Sequence, residues 1–159
     1  MLERIVYISA GAEKQSRQAI DRILSVSRSR NAAAGLTGLL IGGGNWWMQV
    51  LEGERPALEP VWTSIRNDPR HSPVVLVQRR PLCSRAFPDW AMQFQRSDNE
   101  GFVARLEELT GGIGDAKLKD QVQRFHRGPV LSITNFSTRL GPGFRRGAEA
   151  VAISRRSRP

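Results

Sequence analysis

Two apolar runs, LTGLLI at 36–41 and WWMQVLE at 46–52, are separated by Gly42, Gly43, Gly44 and Asn45. Runs this short, bounded by glycine and asparagine, read as strands joined by a hairpin turn. The hairpin commits the chain to an antiparallel sheet, and the flanking segments decide what covers it. IVYIS at 5–9 belongs to an apolar strand over 4–9. Residues 16–29 place Ile20, Ile23, Leu24 and Ser27 at i, i+3, i+4 and i+7, the spacing of one helix face. Pro56 begins a second helix with the stripe Leu58, Val61, Trp62 and Ile65, which ends near Asp68 and Pro69. VVLVQ at 74–78 and WAMQF at 90–94 read as a fourth and a fifth strand. The order βαββαβ plus one strand predicts an α+β, ferredoxin-like sheet with two helices on one face.

After Arg96 the pattern changes. Ser97 followed by Glu100 has the form of a capping box, and Phe102, Leu106 and Leu109 are the apolar positions of a helix to about 110. Glycines within 111–114 break it, and 115–127 resumes with Leu118, Val122 and Phe125. These two helices are expected to cap the sheet face left bare by the first two. LSITNF at 131–136 is left open between a short strand, an interface segment and neither of these. Residues 139–159 carry six arginines against Glu149, a composition that favours a solvated, largely disordered tail over an anion-seeking arm. The expected division is therefore a domain at 1–96, a helical cap at 97–128 and a basic tail at 129–159.

The net charge of +9 fits nucleic acid, an anionic membrane surface or an acidic protein as partner. No apolar run approaches about 18 residues, so no membrane insertion is expected. MLERIVYIS enters a strand directly and does not read as a signal peptide. Cys83 stands alone, which excludes an internal disulfide, and His71 and His126 are too far apart for a metal motif. A cytoplasmic protein follows as the expectation. Tyr7, Asn31 and Gln49 are neither strong bases nor nucleophiles at neutral pH, but all three hydrogen-bond well. Gln49 lies among Met48, Val50 and Leu51, and a carboxamide in such surroundings needs a partner. Together they suit a site that hydrogen-bonds a flat polar ligand.

Five elements in order carry a resemblance over about residues 3–95. They are Tyr7 with Ser9; Asn31 with GLTGLL at 35–40; QVLEG at 49–53; DPRH at 68–71; and FPDWAM at 87–92. The frame resembles the BLUF domain, a flavin-binding blue-light sensor, in its short single-domain form. The resemblance implies a flavin between the first two helices, FAD by default with FMN or riboflavin as alternatives. Ile23 and Ile65 would sandwich the ring. Asn31 would bind its carbonyl and imide edge, and Asp68 and Arg70 would lie around the far side. Arg28 or Arg30 would stand near the pyrophosphate. Blue light makes such a flavin a strong oxidant; Tyr7 would supply the electron and Gln49 would relay the proton, leaving its carboxamide rotated or tautomerised. Trp90 and Met92, read as sharing a face of the last strand, would pass the change outward, and Ser9 would bond Tyr7 or a neighbour.

Two departures from the family pattern stand out. Trp47 occupies a position where the family usually has phenylalanine, and it is either a competing electron donor or a larger core side chain. Ser64 replaces a basic residue found in some members. The expected function is a photoreceptor module without catalysis of its own, acting through a separate protein partner or a homo-oligomer. The alternative is a basic nucleic-acid-binding module on the same fold, although the basic-Gly-aromatic-Gly-aromatic-Val strand of such modules is absent. An acylphosphatase-like enzyme is a third class, and Gly11-Ala12-Glu13-Lys14 matches its anion loop poorly.

Overall fold

A computed structural model describes residues 1–11, 16–43, 45–96, 101–111 and 114–127. The elements are β1 (Leu2–Gly11), α1 (Arg17–Ala33), β2 (Thr37–Gly43), β3 (Trp46–Glu54), α2 (Arg55–Arg66), β4 (His71–Pro81), β5 (Gln93–Arg96), α3 (Phe102–Gly111) and α4 (Ala116–Arg127). The first unit, Met1–Ala116, is built on one sheet in the order β4-β1-β3-β2-β5. β2 and β3 form the antiparallel hairpin read from the sequence, with Gly43 opposite Trp46 and Leu40 opposite Gln49. β1 pairs antiparallel with β3, setting Tyr7 against Gln49, and β5 adds to β2 in parallel. This is the expected ferredoxin-like arrangement.

Strand alternation sorts the side chains. Ile5, Tyr7, Leu40 and Leu51 join Ile20 and Leu24 of α1 and Leu58 and Trp62 of α2 in one buried cluster. The opposite set, with Val6, Ile8, Leu39, Ile41, Met48 and Val50, is also buried. Within it sits an ion pair, Arg4 with Glu52, both buried. Glu52 accepts from Arg4 Nε at 2.7 Å through one oxygen and from the backbone amides of Ala86 and Phe87 at 2.9 and 3.1 Å through the other. Arg4 also pairs with Asp115, which Arg80 holds as well.

α1 is capped by Ser16, whose hydroxyl accepts from Ala19 N at 3.2 Å. It runs past the expected end at 29 and takes Asn31 into its last turn. The stop comes where Gly35 adopts φ of 63°. There Leu36 N reaches back to Asn31 O and Gly35 N to Ala32 O, a Schellman closure that needs a left-handed residue. Gly38 serves a different purpose: a Cβ there would strike the Val50 carbonyl across the hairpin.

β5 starts at Gln93, later than expected. Trp90 and Met92 therefore precede the strand instead of sharing one of its faces. The cause is that the carbonyls of Ala91 and Met92 are taken by side chains of α1, Asn31 Nδ2 at 2.7 Å and Arg28 Nε at 3.0 Å.

α3 lies against β5, with Phe102 buried. α4 belongs, from Lys117, to a second compact unit, where Leu118, Val122 and Phe125 form its buried stripe. The expected capping box at 97–100, the segment 131–136 and the basic tail lie outside the described residues. Among the described residues no helix is long and apolar enough to cross a membrane, and no group of His, Cys, Asp and Glu could hold a metal. Cys83 is exposed and free.

Candidate functional site

Between α1 and α2, above the central strands, lies a cavity of about 600 Å³. That size falls within the range of small-molecule pockets, roughly 300–1,000 Å³. Its walls are aliphatic: Ile23 and Val26 from α1 face Val61 and Ile65 from α2. Its floor is polar, with Tyr7 and Ser9 from β1 and Gln49 from β3, beside Leu40 and Trp47. Asn31, Arg30, Asp68 and Arg70 complete the lining. Ser64 also lines it, in the place where the family pattern admits a basic residue. Eight residues expected at the site thus converge, from Tyr7 at the floor to Arg70 at the rim, and Ser9 makes a ninth.

The floor is a hydrogen-bonded pair. Tyr7 Oη donates to Gln49 Oε1, and Gln49 Nε2 donates to Met92 Sδ at 3.5 Å. The two ends of the carboxamide are unequally held, since a thioether is a weak acceptor and a phenol a good donor. The Tyr7 ring packs on Trp62 with centroids 5.4 Å apart. Burial, with a smaller contribution from the charge of Asp68, pushes the Tyr7 hydroxyl far above its ordinary pKa of 10.0, so it stays protonated across the physiological range.

This chain contains a single tyrosine, which makes that shift directly testable. The raised folded-state pKa means that Tyr7's contribution to stability is intact below the unfolded value near 10.0 and is lost as pH climbs toward the folded value. In an alkaline titration the phenolate absorption should be missing from the native protein at that pH and appear together with unfolding. A native protein that titrates at the ordinary value would contradict the buried pair.

Other expected residues occupy different positions. Trp90 does not line the cavity; its ring stacks on Phe87 at 5.3 Å, and its carbonyl accepts from Gly38 N at 2.8 Å. Arg28 is spent on the Met92 carbonyl and is absent from the lining. Arg70 is largely spent on Asp68, which accepts its backbone N at 3.0 Å and its Nε at 2.9 Å. Trp47 lines the floor beside Gln49, and its indole lies where a Cβ on Gly42 would be. Arg22, which also lines the cavity, escaped the sequence reading because a lone arginine on a helix looks like a solvated charge.

A slot with aliphatic walls and a hydrogen-bonding floor is built to hold a flat ligand with polar edges. The chain belongs to the BLUF family, sensors of blue light using FAD, whose model matches residues 2–93. It is similar to the photoactivated adenylate cyclase subunit beta of Euglena longa, with 35% identity over 92 residues. That match takes in 57% of this chain and 11% of the relative, so the chain spans only about a tenth of the curated relatives it matches. Among solved structures it is similar to BlrB, a BLUF protein in its dark state, with 28% identity and a TM-score of 0.62 over 79% of this chain and 92% of the other. It is also similar to Klebsiella pneumoniae BlrP1 with FMN and cyclic diGMP, at 27% identity and a TM-score of 0.73, over 81% of this chain and 35% of that one. None of these relatives supports the nucleic-acid alternative.

The residues present fit a flavin. The slot between Ile23 and Ile65 suits a planar ring, and Asn31, only 3% exposed, lines the cavity with a carboxamide whose Nδ2 is already fixed.

Proposed function

We propose that Tyr7 and Gln49 are the photoactive pair of this BLUF module. Ile23, Ile65, Asn31, Asp68, Arg70 and Arg30 would hold the flavin. Ser9, Met92 and Trp90 would carry the change outward, Trp90 through the loop it anchors and not from the cavity wall. A bound oxidised flavin, FAD or FMN, supplies blue-light absorption and oxidising power when excited.

The observation that carries the reading is the pair itself at the floor of the slot. The proton on Tyr7 Oη has Gln49 Oε1 as its acceptor, so its movement passes first through the carboxamide. Gln49 can answer cheaply, because the bond it gives up on its other side is to a thioether. Met92 senses that change directly, and its backbone is tied to α1 through Arg28. The output would leave through this segment toward β5 and the helices after it. A separate effector protein or a change of oligomeric state would receive it; the chain itself would catalyse nothing. The cyclase named in the Euglena relatives supports an effector as recipient.

The test is the absorption spectrum of the purified protein in darkness and just after blue illumination. A flavin spectrum that shifts to the red and returns in darkness is expected. A flavin spectrum without a shift would overturn the photoactive pair, and a colourless protein that takes up no added flavin would overturn the site.

A further inference from the structure

Tyr7 has a second aromatic ring behind it. Trp62 of α2 is buried, and its ring lies against that of Tyr7 with centroids 5.4 Å apart and planes 51° apart. Tyr7 lines the cavity and Trp62 does not, which places Trp62 in the layer behind the expected donor. An indole and a phenol lose an electron with comparable ease, and two rings in contact exchange one readily. Trp62 could therefore drain the oxidising equivalent away from Tyr7.

The guanidinium of Arg66 lies over Trp62, 5.5 Å from the ring centroid. Arg66 is exposed, does not line the cavity, and makes no hydrogen bond or ion pair among the described residues. The dipole of α2 and the i, i+4 spacing both favour a cation at this place. Neither accounts for the order Arg66, Trp62, Tyr7, which sets a full positive charge on a ring that adjoins the donor. A neutral indole attracts that charge through its π face. An indole that has lost an electron is itself a cation, and the attraction turns into repulsion. Among the described residues nothing accepts from the Trp62 N–H, so no neighbour relieves the charge by taking the proton. Tyr7 is placed differently: its proton has Gln49 Oε1 to go to, and loss of an electron leaves a neutral phenoxyl.

We infer that Arg66 keeps the oxidising equivalent on Tyr7 by making Trp62 the poorer of two adjoining donors. The inference rests on the reading of Tyr7 and Gln49 as the photoactive pair and adds to it a residue that acts only through Trp62. Arg66 opposes one step. In that step an electron passes from Trp62 to the phenoxyl of Tyr7, the proton returns from Gln49 to Tyr7 Oη, and Trp62 is left as a radical cation. The electron first taken from Tyr7 by the photoexcited flavin comes back on recombination, so the net count is zero. Gln49 is then restored before it has rearranged, and the signal is lost. Loss of the attraction between cation and ring corresponds to about a two- to fivefold change in how the oxidising equivalent divides between the two rings.

Arg66→Gln, Arg66→Lys and Arg66→Gln with Trp62→Phe test it in two arms. The first measures the yield of the light-induced red shift on the flavin-bound protein. Arg66→Gln should lower the yield about twofold or more. Arg66→Lys should keep it, since a cation remains, and the double substitution should recover it. The urea midpoint should stay as it was throughout. The second arm runs in darkness: azide radicals from a radiation pulse each take one electron from an aromatic side chain and become azide. Tyrosyl absorption, which Tyr7 alone can give, should grow in the parent as tryptophan radicals decay. Arg66→Gln should leave an excess of tryptophan radical, and Trp62→Phe should remove that excess. An unchanged yield in Arg66→Gln, or a loss that Trp62→Phe does not restore, would overturn the inference. So would a radical partition indifferent to Arg66. If the parent itself shows no red shift, the photoactive pair has failed, and the azide arm alone decides on Arg66.

Discussion

Tyr7→Phe should give a protein that still binds flavin and no longer shifts its spectrum in blue light. The ring remains, so the contact with Trp62 and the packing among Ile5, Leu51 and Leu58 survive. What disappears is the hydroxyl, and with it the proton held against Gln49 Oε1. Leaving that acceptor without its donor costs about 1–3 kcal/mol, too little to unfold a domain of ordinary stability. Gln49→Leu should reach the same silence from the other side, since leucine fills the volume and offers neither the acceptor nor the Nε2 donor to Met92. Met92→Leu should behave differently: the Tyr7–Gln49 bond is intact, so the shift should form, with an altered rate of return in darkness. A red shift of ordinary size in Tyr7→Phe would remove Tyr7 from the mechanism and turn attention to Trp47, which also lines the floor.

Much of this site could be read from the chain because it rests on local patterns. The hairpin turn fixes which residue of β2 faces which of β3, and alternation then puts Tyr7, Gln49 and Leu40 on one face. Ile23 and Ile65 follow from helix periodicity. Where the reading slipped, the deciding partner was distant. The end of α1 depends on the closure at Gly35, which lies beyond Ser27, the last position of the periodic stripe. WAMQF alternates like a strand, yet Asn31 and Arg28, some sixty residues earlier, occupy the carbonyls of Ala91 and Met92. Arg4 and Glu52 sit in apolar strands as charges usually do on a solvent face, and nothing nearby in sequence reveals that each is buried against the other.

That buried pair supplies the largest expected loss of stability. Glu52 is fully buried and uses both oxygens, one on Arg4 and one on the amides of Ala86 and Phe87. Glu52→Ala would strip three donors of their acceptor at once and leave Arg4, 2% exposed, with Asp115 as its remaining carboxylate. Breaking a buried ion pair from one side costs about 3–5 kcal/mol, a large share of the 5–15 kcal/mol that holds a typical domain together. Urea unfolding should show the midpoint falling accordingly. Adding Arg4→Met should cost less than the two single losses combined, because much of the penalty in Glu52→Ala is the guanidinium left behind. Glu52 also fastens the start of the loop that leads through Trp90 to Met92. A variant that keeps some folded protein should therefore hold Met92 less firmly against Gln49, and its light-induced state should relax faster than that of the parent. A stability loss below about 1 kcal/mol would mean that solvent reaches the pair and that its burial contributes little.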